Sequence, residues 1–346
     1  MRIGLYKEKF EVRISEQAPN EHIAIFGMSG TGKSTRIAEI AESAVQEGKT
    51  VIALDLSGED FQNLSGANHI SGVEDGININ LLESKSPLYV SQITGIFTEI
   101  FRFGVRQEGA LRVALQYAVE NQEKYVNEII ALAEGLKMQD TSIADSVYNR
   151  LWGLFSGNII RKSNKYIEEN KVNVVSFKGL PLQGQREMAE LLLCMLWRRV
   201  RETGTASKKM ILIVDEFQNY VRKNSVLVEM LREARKYNIG IILATQSAED
   251  MSARVKTAIN QTAIQLFFKV NNASVKKIAE IIDSSRANEW TIKLKKLQIG
   301  ESIAVGNLRI GNVELTNPII IQSEYRQDNK KSSGVYIVKG GCENEE

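Results

Sequence analysis

Residues 27–35 read GMSGTGKST, and the five residues before them, His22–Phe26 (HIAIF), form an apolar run. An apolar run of that length is a buried strand. After the loop, Ile37, Ile40, Ala41 and Ala44 recur at the spacing of one helix face, over Ser34 to Gln46. The stretch is therefore strand, glycine-rich loop, helix. Within it Gly27, Gly32, Lys33 and Ser34 satisfy G-x-x-x-x-G-K-[ST]. At average composition, chance supplies such a match in about one chain in a hundred of this length. The glycines let successive N–H groups turn toward one point, and the helix N-terminus adds partial positive charge, so the loop suits a polyphosphate. Ser29, Gly30 and Thr31 complete the cradle, and Thr35 is placed for the α-phosphate. Lys33 is placed to bridge the β- and γ-phosphates and the Ser34 hydroxyl to ligate Mg²⁺. ATP and Mg²⁺ are the expected ligands.

Working outward, Thr50–Leu56 (TVIALDL), Lys171–Phe177 (KVNVVSF), Met210–Val214 (MILIV), Gly240–Thr245 (GIILAT) and Ala263–Val270 read as further strands. Gln185–Glu202 and Ser225–Tyr237 read as helices between them, and residues 2–14 as a strand or hairpin. Strands alternating with helices give an α/β fold with a mostly parallel sheet covered on both faces. From about 86 to 170 apolar residues fall three and four apart, which marks an all-helical subdomain inserted into the core. The expected organisation is N-terminal strands and the first part of the core over 1–85, the helical insert over 86–170, the rest of the core over 171–325, and a polar tail over 326–346.

Four further features carry chemistry. Ile211–Phe217 (ILIVDEF) delivers Asp215 and Glu216 at the C-terminal end of a buried strand, the edge where open α/β sheets bind ligands. Asp215 is placed to hold Mg²⁺ through its water shell, and Glu216 to act as general base on the attacking water. Gln246, ending GIILATQ, can reach a γ-phosphate and the water, or is an ordinary strand end. Arg235, in LREARKY, either complements a helix dipole or projects onto a neighbouring subunit's γ-phosphate. Asp55 and Glu59, in DLSGED, could orient Lys33 or the metal shell, or are loop acids. Basic clusters at Arg198–Arg199–Arg201, Lys276–Lys277 and Lys293–Lys295–Lys296 are either phosphate contacts or solvated helix faces.

Composition narrows the classes. The 346 residues are 43% hydrophobic and 25% charged, a soluble globular profile. With 44 basic against 42 acidic residues the net charge is +2, so any nucleic-acid contact comes from local patches or from a ring that gathers them. Two cysteines, Cys194 and Cys342, exclude a disulfide scaffold and fit a reducing cytosol. The N-terminus lacks the apolar core of a signal peptide, and no apolar run approaches the roughly 20 residues of a membrane span. A cytoplasmic protein is expected, brought to a membrane only by a partner.

Four strings in order, HIAIFGMSGTGKST, VIALDLSGED, ILIVDEFQNY and LREARKYNIGIILATQS, resemble the HerA/FtsK superfamily of ring-forming motor ATPases, closest to its HerA-like and conjugation-type secretion and coupling members. The tail, QLFFKV followed by LKKLQIGESIAVG, is similar too. The resemblance covers about 20–60 and 170–305. It implies a RecA-like P-loop core and a homo-hexameric ring that translocates double-stranded DNA in conjugation, packaging, end processing or defence. It matches the trans-acting arginine best at Arg235, eleven positions before Gln246. The transmembrane helices, large N-terminal domain, winged-helix and nuclease modules of some members have no counterpart, so the chain reads as close to a bare motor. Two other readings stand beside this one. One is a nucleotide-gated assembly or effector subunit serving a nuclease, NADase or secretion partner; the other is a P-loop kinase or protein-substrate motor, and the Asp215–Glu216 pair argues against a simple kinase.

Overall fold

The computed structural model describes residues 1–204 apart from 57, 59, 60, 62, 63 and 65, together with 209–219, 225–246, 257 and 259–324. The strands are β1 (Arg2–Tyr6), β2 (Phe10–Ile14), β3 (Ile23–Phe26), β4 (Thr50–Asp55), β5 (Asn68–Ser71), β6 (Val172–Ser176), β7 (Met210–Val214), β8 (Ile239–Thr245), β9 (Ile264–Phe267), β10 (Glu301–Gly306), β11 (Leu308–Ile310), β12 (Val313–Leu315) and β13 (Ile319–Gln322). They form one 13-stranded sheet in the order β12-β11-β2-β1-β13-β10-β9-β3-β8-β7-β4-β6-β5. From β9 to β5 every neighbouring pair is parallel. From β9 to β12 every pair is antiparallel, so the expected parallel core continues into an antiparallel wing made from both ends of the described chain.

Apart from β5, the parallel strands are largely apolar on both faces because helices cover both. On one face Ile23, Ile25, Val51, Ala53, Ile211, Ile213, Ile242 and Ala244 pack with Ile37, Ile40, Ala41 and Ala44 of α1 (Lys33–Gln46). Their alternates Ala24, Phe26, Ile52, Leu54, Leu212, Val214, Ile241 and Leu243 join the other core. That core also takes in the helices between β5 and β6: α2 (Pro87–Phe101), α3 (Val105–Asn121), α4 (Glu128–Lys137), α5 (Ser142–Arg150) and α6 (Trp152–Ser156). Their apolar faces are continuous with the sheet core through α7 (Leu182–Thr203) and α8 (Val226–Glu233).

The helix expected over 225–237 divides. Ser225 caps α8 by accepting from the Leu227 N–H at 3.3 Å, and the helix gives way after Glu233 to a 3-10 turn over Ala234–Tyr237. Asn238, at φ 59°, then turns the chain into β8. Two more helices, α9 (Val275–Ile282) and α10 (Ala287–Lys296), link β9 to β10. Among the described residues no helix is long and apolar enough to cross a membrane. The polar tail, Glu59 and Cys342 lie outside the described residues, and Cys194 is half-buried.

Candidate active site

Parallel pairing puts the C-terminal ends of β3, β8, β7 and β4 side by side. Phe26 is level with Thr245, Val214 with Leu243, and Leu54 with Val214. The loop Gly27–Gly32, Gln246, the pair Asp215–Glu216 and Asp55 therefore share one sheet edge.

The loop is held by its neighbours. The Gly27 N–H donates to the Thr245 carbonyl at 3.2 Å and the Met28 N–H to the Lys269 carbonyl at 2.9 Å. A Cβ on Gly27 would lie 2.5 Å from the Phe268 Cβ, so only glycine fits there. Gly30 and Gly32, at φ 73° and 101°, occupy the left-handed region that reverses the chain. The buried Thr31 donates its hydroxyl to the Met28 carbonyl at 2.7 Å. Lys33 is buried, and its ammonium donates to the Gly27 and Met28 carbonyls at 2.9 and 3.1 Å, so its charge stands over the loop. The first turn of α1 has no side-chain cap and no acidic residue. Its positive end is therefore directed at the loop without a competing carboxylate, the arrangement that favours an anion. Ser29 and Thr35 are exposed and Ser34 half-buried.

The acidic pair is organised differently at each residue. Asp215 is buried at 5% exposure and accepts from the Glu216 N–H at 2.8 Å. Glu216 has φ 46°, an uncommon backbone for a residue with a Cβ. One carboxylate oxygen accepts from Gln246 Nε2 at 2.6 Å, and the other from Gln218 Nε2. Each oxygen retains a second lone pair. No motif points to Gln218; it reaches Glu216 because a 3-10 turn over Phe217–Asn219 brings a residue two positions on back beside it. Thr245, Phe268 and Lys269 also shape the loop, and no local pattern in the sequence announces them.

Asp55 is 2% exposed and accepts from the N–H groups of Gly58 and Phe61 at 2.7 and 3.4 Å, so it is no solvated loop acid. Arg235 is not brought to this edge. It precedes β8, whereas Gln246 follows it, and its Nη1 donates to the Pro19 carbonyl at 3.1 Å beside the start of β3. The opposite sheet edge there carries an open cleft of about 710 Å³ lined by Arg235, Lys236, Lys49, Lys209 and Glu21. Beside it the buried His22 accepts from the Ile241 N–H at 3.0 Å. Burial lowers the His22 imidazole to about 4, with Glu21 opposing and Arg235 adding to the shift.

Of the basic clusters, Arg198 pairs with Glu83 and Glu202, Arg201 with Glu229 and Lys293 with Glu289. Lys276 and Lys277 are exposed on α9, as are Lys295 and Lys296 at the end of α10.

The nucleotide and metal fit these residues. Glycines at left-handed φ (Gly30 and Gly32), an uncapped helix end and a buried ammonium suit a polyphosphate. Ser34 and Asp215 offer the hard oxygen donors that suit Mg²⁺.

Residues 2–196 match the family described as Helicase HerA, central domain. The chain is 21% identical to the DNA double-strand break repair helicase HerA of Sulfolobus acidocaldarius, over 89% of this chain and 67% of that protein. It is 22% identical to the protein of the same name from Saccharolobus solfataricus, over 89% and 66%. It thus spans about two thirds of the length of these relatives. In fold it is similar to VirB4 of Thermoanaerobacter pseudethanolicus, with TM-score 0.70, 16% identity, and 94% and 96% of the two chains covered. It is also similar to the bacterial conjugative coupling protein TrwBdeltaN70, with TM-score 0.66, 11% identity, and 94% and 89% covered. A family match over more than half of the chain, on a RecA-like core with an intact phosphate loop, makes this chain a member of the HerA helicase central-domain family, a HerA/FtsK-type P-loop motor ATPase.

Proposed function

We propose that this chain hydrolyses ATP as the motor subunit of a homo-hexameric ring that translocates double-stranded DNA. One observation carries the proposal: Glu216, fixed by Gln246 and Gln218, stands on the same sheet edge as the phosphate loop. The loop amides and Lys33 bind and orient the triphosphate. Ser34 and Asp215 would hold Mg²⁺, which when bound neutralises charge on the phosphate oxygens. Glu216 takes the proton of the attacking water as the bond to the γ-phosphorus forms, and ADP leaves with the electrons of the broken bond. Gln246 links Glu216 to the end of β8, so it can relay nucleotide state along that strand. Arg235 would act on a neighbour's phosphates rather than its own, a reading supported by its position on the opposite edge beside the 710 Å³ cleft. DNA as substrate is supported by the HerA relatives, named as DNA double-strand break repair helicases. Nucleotide with Mg²⁺ is supported by the coupling protein TrwB, solved in complex with ADP and Mg²⁺. A cytoplasmic location and recruitment to a membrane or to a nuclease, NADase or secretion partner belong to the same proposal.

The test is ATP turnover with and without duplex DNA. Duplex should raise the rate. Lys33→Ala should lose nucleotide binding, and Glu216→Gln should bind nucleotide but turn over about 10²- to 10⁴-fold more slowly. A DNA-independent rate in an oligomer that never binds duplex would refute the DNA motor and leave the ATPase standing.

A further inference from the structure

Arg36 lies three residues after Lys33 in α1 and its side chain is fully buried. A buried guanidinium is tolerated only where its five donors are matched, and here they reach across three elements. Nε donates to Ser323 Oγ and forms an ion pair with the buried Glu39 carboxylate, both at 3.2 Å. Nη1 donates to the Ile3 carbonyl at 3.0 Å and Ser302 Oγ at 3.3 Å, and Nη2 to the Gly300 carbonyl at 3.1 Å. Gly4 makes room, since a Cβ there would lie 2.7 Å from Nη1. Burial lowers the guanidinium to about 10, with Glu39 opposing, so it is charged at neutral pH.

Gly300 joins this cluster to the phosphate loop. Its carbonyl accepts from Arg36, and its N–H donates to the Thr31 carbonyl at 2.9 Å. The loop rests directly on this turn: a Cβ on Gly32 would lie 2.9 Å from the Gly300 nitrogen. The Thr31 carbonyl and the Gly32 N–H belong to one trans peptide and point in opposite directions. Fixing the carbonyl on Gly300 therefore fixes the Gly32 N–H, a donor of the phosphate cradle, pointing away from the turn.

We propose that Arg36 is a positioning residue for nucleotide binding, which, by holding Gly300, orients the Thr31–Gly32 peptide toward the phosphates. The inference rests on the nucleotide reading above. It assigns Arg36 more than a role in fastening α1 to the antiparallel wing.

The test compares Arg36→Lys, which keeps charge but loses the fork, with Gly300→Ala and Ser302→Ala. At φ 83° an alanine strains the Gly300 turn, yet its nearest neighbour is the Ser323 Cβ at 3.7 Å, so the fold is not obstructed. Ser302→Ala removes an acceptor of Arg36 that does not touch the loop. Melting temperature, calorimetric Kd for ADP with Mg²⁺, and kcat at saturating ATP are measured on each. Arg36→Lys and Gly300→Ala should raise Kd about tenfold, as for loss of one well-oriented hydrogen bond, with kcat within about twofold. Ser302→Ala should lower the melting temperature alone. Folded Arg36→Lys and Gly300→Ala proteins with unchanged Kd would overturn the proposal; should Arg36→Lys not fold, Gly300→Ala decides it. An unsubstituted protein that binds no nucleotide would instead remove the nucleotide reading, and this inference with it.

Discussion

At the residue scale, Glu216 carries strain that its own side chain does not require. A φ of 46° costs a residue with a Cβ about 1–2 kcal/mol relative to ordinary backbone. The conformation is held by the Glu216 N–H on Asp215 and by two glutamine amides on its carboxylate. These contacts fix the direction of the carboxylate, which is the property a general base needs. Gln246→Ala should therefore lower kcat by about 10- to 100-fold while nucleotide Kd stays near its original value, because the phosphate loop keeps its own contacts. Steady-state turnover beside calorimetric nucleotide binding checks this. A Kd that rises with no change in kcat would show that Gln246 serves the nucleotide and not Glu216. Lys33, Asp215, Glu216 and Gln246 are legible in the sequence, because a motif or a strand-end position marks each of them. Gln218 is not, because its role depends on the 3-10 turn over Phe217–Asn219, a geometry that no periodicity marks.

At the scale of elements, the seven strands from β9 to β5 follow from apolar runs, except β5, whose sequence Asn68–Ser71 is polar and pairs only because β6 offers an edge. The antiparallel wing is less legible. Strand character over 2–14 and 301–322 can be read locally, but the pairing of Leu5 with Gln322 joins residues at opposite ends of the described chain, and nothing local encodes such partners. His22 shows how the start of β3 is fastened to β8. Its Nδ1 accepts from the Ile241 N–H, a bond that needs the neutral ring. The folded-state value near 4 lies below the unfolded value near 6.5. The unfolded chain thus takes up the proton first, and stability present at neutral pH is lost as pH falls from the unfolded value toward the folded one. Between pH 7 and pH 5 the loss is about 2 kcal/mol from this group. His22→Asn places an amide oxygen where Nδ1 stands and does not titrate. Urea unfolding at both pH values should show that much less acid sensitivity in the variant; equal losses in both proteins would mean that the imidazole does not govern it.

At the scale of the whole molecule, the sheet edge with the phosphate loop and the edge that carries Arg235 face opposite ways. The phosphate loop and Glu216 lie at the C-terminal ends of the parallel strands. Arg235 lies before β8, whose seven residues span roughly 23 Å of extended chain. One chain cannot bring both to the same phosphate without unfolding β8, whereas head-to-tail neighbours can, since a heterologous contact joins two different surfaces and closes into a ring when its rotation allows. The +2 net charge suits such an assembly, because weak local patches repeated around a lumen add up. The arrangement gives a prediction that separates action between chains from action within one. Glu216→Gln and Arg235→Ala should each lower turnover at least about 100-fold alone. In a mixed ring, an Arg235→Ala subunit supplies Glu216 and an adjoining Glu216→Gln subunit supplies Arg235. Equal mixing should then recover about a quarter of the original rate if sites act independently, the share of random head-to-tail contacts with the right pair in the right order. Co-assembly of the two variants followed by an ATPase assay measures it. Recovery of nothing, from rings shown to contain both chains, would confine Arg235 to its contact with Pro19 and leave each site to its own residues.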